Sequence, residues 1–173
     1  MNPFEVLGFS PGYDIAADQL ARRHRELSKV LHPDKFTGSG GGERREALSR
    51  AVEVNEAFRI LRDPVRRAEA IFSLSGIAVG ETNEPKASPD FLMEAMEQRE
   101  ALEDAKASGD TAAVRALGDG IAAQTTRVVE ELGQGFASAQ GDAEKLRALL
   151  PLLGKLRYAR RFQEELEALL EES

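Results

Sequence analysis

The chain has no cysteine, only two histidines and only 7 prolines among its 173 residues. Without thiols, a disulfide, a thiolate metal site and a cysteine nucleophile are all excluded. With two imidazoles, a metal site would have to be built mostly from carboxylates. No apolar run approaches the roughly 18 residues that a membrane helix needs. Met1-Asn2-Pro3-Phe4-Glu5 lacks the basic start of a signal peptide, so a cytoplasmic protein that does not engage membranes is expected. A chain 42% hydrophobic and 31% charged, with few prolines, suits a soluble helical protein rather than a disordered one. Its length allows one large domain or two small ones.

The net charge of −7 is unevenly spread. Residues 1–75 hold 12 Lys/Arg against 11 Asp/Glu, whereas residues 76–173 hold 11 against 19. Such asymmetry suggests two modules with different partners. It argues against nucleic-acid binding, which needs a broad basic footprint.

Asn2 to Gly8 reads as a short helix, with Pro3 at an early position and Gly8 ending it. From about Ala16 to Leu31, Leu20, Leu27 and Leu31 repeat at helical spacing and should face a core. Arg22, Arg25 and Lys29 cluster on the opposite face, within about 60° of one another. That basic face runs into His32-Pro33-Asp34, followed by Lys35 and Phe36. Proline disfavours the α region for the residue before it, so the helix should stop at Leu31 or His32. An imidazole, a rigid ring and a carboxylate are then presented together at a helix end. A loop through Gly38, Gly40, Gly41 and Gly42 follows, and then a long helix over 43–61 with Leu48, Ala51, Val52, Asn55, Phe58 and Leu61 on one side. Asp63-Pro64 breaks the chain, and Pro64 starts a shorter helix carrying Ala68, Ile71, Phe72 and Leu74. The two long helices can pack antiparallel with the tripeptide at one tip. So small a core should lean on Phe4, Leu27, Phe58 and Leu61.

Residues 76–87 contain Gly, Pro, Asn and Thr without periodicity and read as a linker. Ser88-Pro89-Asp90 then reads as a helix start: a capping serine, a proline and an acid in the first turn. In the helix of about 89–107, Phe91, Ala95, Leu102 and Ala105 share one side and suffice to dock it. Leu92, Met93 and Met96 share the other, interleaved with Glu97, Glu100, Glu103 and Asp104. Large apolar side chains amid carboxylates suit either a binding surface or packing on a neighbouring helix. A helix of about 110–133 carries Val114, Leu117, Ile121, Val128 and Leu132; Gly118 and Gly120 each lower its helicity by about 1 kcal/mol. A short loop near Gly133 and Gly135 leads to a last helix of about 142–171. Pro151 must kink or interrupt that helix, because it cannot donate to the carbonyl of Arg147. Ala159, Phe162, Leu166 and Leu170 form its core stripe, with Tyr158 at the edge as a half-buried ring whose hydroxyl is wet. Three such helices fit a small antiparallel bundle, and the fold class is all-α.

The tripeptide in this setting resembles the J-domain of co-chaperones that stimulate heat-shock ATPases of the DnaK/HscA type. The whole chain resembles the HscB family, the J-domain co-chaperones of bacterial iron–sulfur cluster assembly. Phe4 through Gly8, His32-Pro33-Asp34-Lys35-Phe36, Asn55 through Leu61, Arg67-Ala68-Glu69, Phe91-Leu92-Met93-Glu94, Arg99-Glu100 and Lys155-Leu156-Arg157-Tyr158 all fit its pattern. The resemblance implies a J-domain over 1–75, an antiparallel helical hairpin with flanking short helices. It further implies a linker over 76–87 and a C-terminal three-helix bundle over 88–173, the two domains set in an L shape. Arg22, Arg25, Lys29, His32, Pro33 and Asp34 would engage the ATPase chaperone HscA. Leu92, Met93, Met96, Glu97, Glu100, Asp104 and Tyr158 would hold the cluster scaffold IscU. No catalytic residue, cofactor or metal is implied, and the chain is expected to act as a monomer. Several positions depart from the pattern. His24 and Leu31 stand where many J-domains carry aromatics, Asp104 is shorter than the usual glutamate, and Ala16 offers no side-chain cap.

Three functions compete. An adaptor would bring scaffold to chaperone and trigger hydrolysis there; a J-protein for another client would keep the tripeptide and drop the scaffold. A hydrolase would use His32 and Asp34. Those two residues, held apart by a rigid proline at a loop with no serine, cysteine or metal cluster to join them, are poorly placed to converge on one buried substrate atom.

Overall fold

The computed structural model describes residues 1–80 and 86–172, and every regular element among them is helical. The chain forms two compact units, Met1–Ala78 and Val79–Ser173. Of the stretch expected as a linker, residues 81–85 lie outside the described residues. On either side of the division between the units, Ile77 and Val79 are buried.

In the first unit, α1 spans Pro3–Leu7, α2 Ala17–Val30, α3 Gly41–Arg62 and α4 Pro64–Leu74, with a 3₁₀ turn at Pro33–Phe36. The ends of α1 and α4 are set locally. The Asn2 side chain accepts the Phe4 N–H at 3.1 Å, and α1 stops at Gly8, whose φ of 75° is left-handed. Asp63 accepts the N–H groups of Val65 and Arg66 at 2.8 and 3.1 Å, starting α4. Ala16 makes no side-chain cap, as its methyl requires. Helices α1 and α2 pack on α3 around Phe4, Leu7, Leu20, Val54, Ala57 and Leu61. Tyr13 is buried and ties the loop after α1 to α4. Its hydroxyl donates to the Pro64 carbonyl at 3.1 Å, and Arg67 donates to the Tyr13 carbonyl at 2.9 Å. Burial pushes the Tyr13 phenol up to about 12.

The buried face of α3 differs from the expected one. Leu48 and Val52 are 62% and 58% exposed and Asn55 is exposed, while Ala47, Val54, Ala57 and Leu61 face inward. The reason is shape: α3 must accept two helices at once, and Ala47 and Ala57 let their backbones approach. Asn55 looks outward and shares a hydrogen bond with the His24 Nε2 at 2.9 Å. The His24 ring stacks on Phe58 at 4.1 Å, filling the place of the missing aromatic. Phe58, Leu27 and Leu31 are consequently only half-buried, and Leu74 is 47% exposed.

In the second unit, α5 spans Pro89–Ser108, α6 Thr111–Ala139, α7 Ala143–Arg147 and α8 Leu150–Glu171. Ser88 caps α5 by accepting the Phe91 N–H at 3.2 Å, and Gly109 ends it at φ 66°. Helix α6 packs along α5 and α8 around Leu102, Val114, Ile121, Ala159, Phe162 and Leu166. No loop forms near Gly133 and Gly135: α6 continues to Ala139, with Gly133 buried and Gly135 packed so closely that a Cβ there would collide with the Leu149 side chain. Pro151 interrupts the expected last helix rather than kinking it: α7 ends at Arg147 and α8 begins at Leu150. The chain turns at Ala148 and Leu149, and Pro151 takes the first turn of α8, where an N–H has no intrahelical partner to lose. Helices α5 and α8 run parallel, joined by Phe91 against Tyr158 at one end and by Arg99 and Lys106 on Glu165 at the other. The Arg99 hydrogen bond holds the Glu165 carboxyl below the usual carboxylate range.

The rotated face of α3 is testable. Leu61→Ala should cost about 2–5 kcal/mol, as a truncated core leucine does. Leu48→Ala and Val52→Ala should each stay within about 0.5 kcal/mol of wild type. Urea unfolding followed by circular dichroism reads both, and equal losses at Leu48 and Leu61 would contradict the packing described.

Candidate functional site

The first unit carries one candidate surface at the end of α2. Arg22, Arg25 and Lys29 are all exposed, on the side away from buried Leu20. Arg23, between them, is turned to structure: its guanidinium donates to the Leu7 carbonyl at 3.0 Å. Helix α2 ends at Val30, and His32 takes an extended conformation (φ −63°, ψ 134°), as the following proline demands. His32, Pro33 and Asp34 are exposed, the two polar side chains by 58% and 86%. The Asp34 N–H donates to His32 Nδ1 at 3.3 Å, and that nitrogen lies 3.4 Å from the Asp34 carboxylate. Imidazole and carboxylate therefore do meet, but across an open turn rather than around an enclosed site.

The turn is held from below by a residue that helical spacing did not single out. Arg44, in the first turns of α3, donates to the carbonyls of Phe36 and Thr37 at 3.0 and 2.8 Å. Beside the tripeptide lies a cleft of about 550 Å³ lined by Leu31, Pro33, Phe36, Ala47 and Leu48. The signal for it was present: α3 has more apolar surface than one neighbouring face can cover, and the surplus stays next to the turn.

The second unit carries the other surface on α5. Leu92, Met93 and Met96 are 51%, 63% and 71% exposed. Glu97, Glu100 and Asp104 are exposed as well. Helical geometry puts these residues and Glu103 within an arc of about 140°, opposite the buried Phe91, Leu102 and Ala105. Tyr158, from α8, reaches the edge of this face and lines a cleft together with Leu92. Its ring is half-buried, edge-on to Phe91 at 5.4 Å and stacked on Phe162 at 5.8 Å. Its hydroxyl donates to the Ala95 carbonyl at 3.3 Å, a partner that tertiary packing alone brings within reach. Burial raises the Tyr158 pKa, partly opposed by Arg99. No helix of the described residues is long and apolar enough to cross a membrane.

Comparison with known proteins matches both units. Residues 2–70 fit the model of the DnaJ domain, and residues 87–167 fit the HSCB C-terminal oligomerisation domain. The Co-chaperone protein HscB homolog of Shewanella woodyi is 38% identical over 168 residues, covering 96% of this chain and 95% of its own. That of Shewanella baltica strain OS155 is 37% identical with the same coverage. Chaperone HscB from Vibrio cholerae superposes with a TM-score of 0.82 at 31% identity, over 99% of both chains. The human co-chaperone protein HscB shares the fold, with a TM-score of 0.85 at 21% identity over 98% of this chain and 82% of its own.

Two substitutions test the turn. His32→Gln or Asp34→Asn should change stability by no more than about 0.5 kcal/mol, since neither side chain is in a core. Arg44→Ala should speed amide exchange at Lys35 and Ser39, whose N–H groups close the turn onto His32 and Phe36 at 3.0 and 3.1 Å. Unchanged exchange in Arg44→Ala would mean that the turn holds itself.

Proposed function

The chain belongs to the HscB family of J-domain co-chaperones, and on that ground we propose that it brings an IscU-type iron–sulfur scaffold to an HscA-type ATPase chaperone and stimulates that chaperone's ATP hydrolysis. It acts in the cytoplasm as an adaptor with no chemistry of its own. One observation carries the reading: each compact unit leaves one chemically distinct face in solvent. A co-chaperone that joins two partners needs two such faces.

His32, Pro33 and Asp34 engage the chaperone, with Arg22, Arg25 and Lys29 providing the attraction toward an acidic surface. Exposed like charges in one row steer encounter more than they hold the complex, so their effect falls on the association rate. The turn pinned by Arg44 presents the tripeptide in one conformation, which lowers the ordering cost of docking. Leu92, Met93 and Met96 are the scaffold anchors: large apolar side chains in water, rimmed by Glu97, Glu100 and Asp104. Tyr158 contributes its ring edge and braces α5 through the Ala95 carbonyl.

The steady-state ATPase of the cognate chaperone, measured with this protein and with or without scaffold, tests the proposal. His32→Gln and Asp34→Asn should abolish stimulation. Leu92→Ala and Met96→Ala should each weaken scaffold binding about 30-fold and lose the scaffold-dependent increment. Stimulation without any scaffold binding by the wild-type protein would leave a J-protein for another client. Stimulation that survives in Asp34→Asn would remove the tripeptide role.

Salt separates steering from anchoring. Docking to the chaperone should weaken between about 0.05 and about 0.3 M salt, where the Debye length falls from roughly 14 to roughly 6 Å. Arg25→Glu should slow association more than it speeds dissociation, and salt-independent docking would argue against the basic face.

A further inference from the structure

Next to the exposed face of α5, the start of α8 leaves an open cleft of about 280 Å³. Phe91, Leu92, Pro151 and Tyr158 supply apolar walls, while Lys155 supplies a cation. Among the described residues no carboxylate lines it, in a chain whose net charge is −7. Lys155 is half-buried, with its ammonium 5.9 Å from the centroid of the Phe91 ring. Among the described residues it forms no ion pair. A ring face attracts an ammonium but uses none of its three hydrogen-bond donors. Arg157 also borders the cleft, but it donates to the Val79 carbonyl and belongs to the packing.

The position of this cleft gives the α5 face a direction. Because α5 and α8 run parallel, Lys155 sits near the first turns of α5, beside Phe91. The carboxylates Glu97, Glu100 and Asp104 lie further along the same helix. Leu92 belongs to both parts, as an exposed apolar residue and as a wall of the cleft. Along the exposed arc of α5, Leu92, Met93 and Met96 thus lie between the Lys155 end and the carboxylates Glu97, Glu100 and Asp104, with the exposed Asp90 and Glu94 off that arc.

We propose that this cleft is a subsite of the scaffold-docking surface: it receives an acidic side chain flanked by an apolar one on the scaffold. Lys155 thereby sets the direction in which the scaffold lies along α5. The inference rests on the scaffold reading of Leu92 and Met96. Charge complementarity selects the occupant, and the apolar walls, continuous with Leu92, favour a protein segment over a free anion. In the correct direction a carboxylate meets the ammonium in a partly water-excluded cleft, where a charge-assisted hydrogen bond is strongest. In the reverse direction the same carboxylate would face Glu97 and Glu100, and like charges across an interface are penalised.

Isothermal titration of the full-length protein with purified IscU-type scaffold tests this, using wild type, Lys155→Met, Lys155→Glu and Leu92→Ala. Lys155→Met keeps the apolar stem and should bind several-fold more weakly, with less dependence on salt. Lys155→Glu should lose about tenfold or more, as expected for reversing a partly desolvated charge. A scaffold in which one exposed Asp or Glu is changed to Lys should restore affinity to Lys155→Glu. Wild-type affinity in both Lys155 variants would overturn the subsite. So would equal losses in both that no charge reversal on the scaffold repairs. If Leu92→Ala weakens binding while the Lys155 variants do not, only the subsite fails. If Leu92→Ala binds as tightly as wild type, the scaffold reading fails and takes the subsite with it.

Discussion

A long helix in a unit this small can bury only one of its faces, because there are too few neighbours to cover the rest. In Met1–Ala78, α1 and α2 take up the side of α3 that holds Val54, Ala57 and Leu61, and Leu48 and Val52 stay in water. In the second unit, α6 and α8 cover Phe91, Leu102 and Ala105, and Leu92, Met93 and Met96 stay out. An apolar strip left in solvent invites nonspecific association unless charge surrounds it. On α5 the carboxylates supply that charge. The proposed scaffold-docking surface is this leftover face of α5 with its border.

The tripeptide obeys a different constraint, the dihedral restriction imposed by Pro33. It takes His32 out of the helical region, ends α2 and starts the 3₁₀ turn that carries Asp34. Proline alone would leave a loop with several conformations. Arg44 removes that freedom with two hydrogen bonds to the carbonyls of the turn, and it reaches them because α3 begins at Gly41 and carries Arg44 in its first turns. The glycine-rich stretch does not remain a loop throughout: Gly41 and Gly42 form the first turn of α3.

Much of the architecture was legible because its signals are local. Asn2, Asp63, Ser88 and Asp110 each sit at a helix start and accept the N–H groups that the helix leaves unpaired. The two faces of α5 followed from spacing, since its apolar residues fall into groups separated by charge. Spacing failed on α3, where Ala47, Leu48, Ala51, Val52 and Val54 spread around much of the helix and several phases look equally apolar. It failed again at Gly133 and Gly135, where glycine signals a loop by propensity but serves close packing against Leu149.

By itself the sequence determined where most helices begin, where α2 stops, which side of α5 is amphipathic, and how charge divides between the halves. Each of these depends on hydrogen bonds, dihedral limits or side-chain order within about one helical turn. Only the tertiary structure decided which apolar face of α3 turns inward. It also decided that Ala95 takes the Tyr158 hydroxyl, and that Lys155 and Leu92 border one cleft. These outcomes join residues from helices distant in the chain. They are settled by which shapes fit together when those helices pack, a condition that no single stretch of sequence contains.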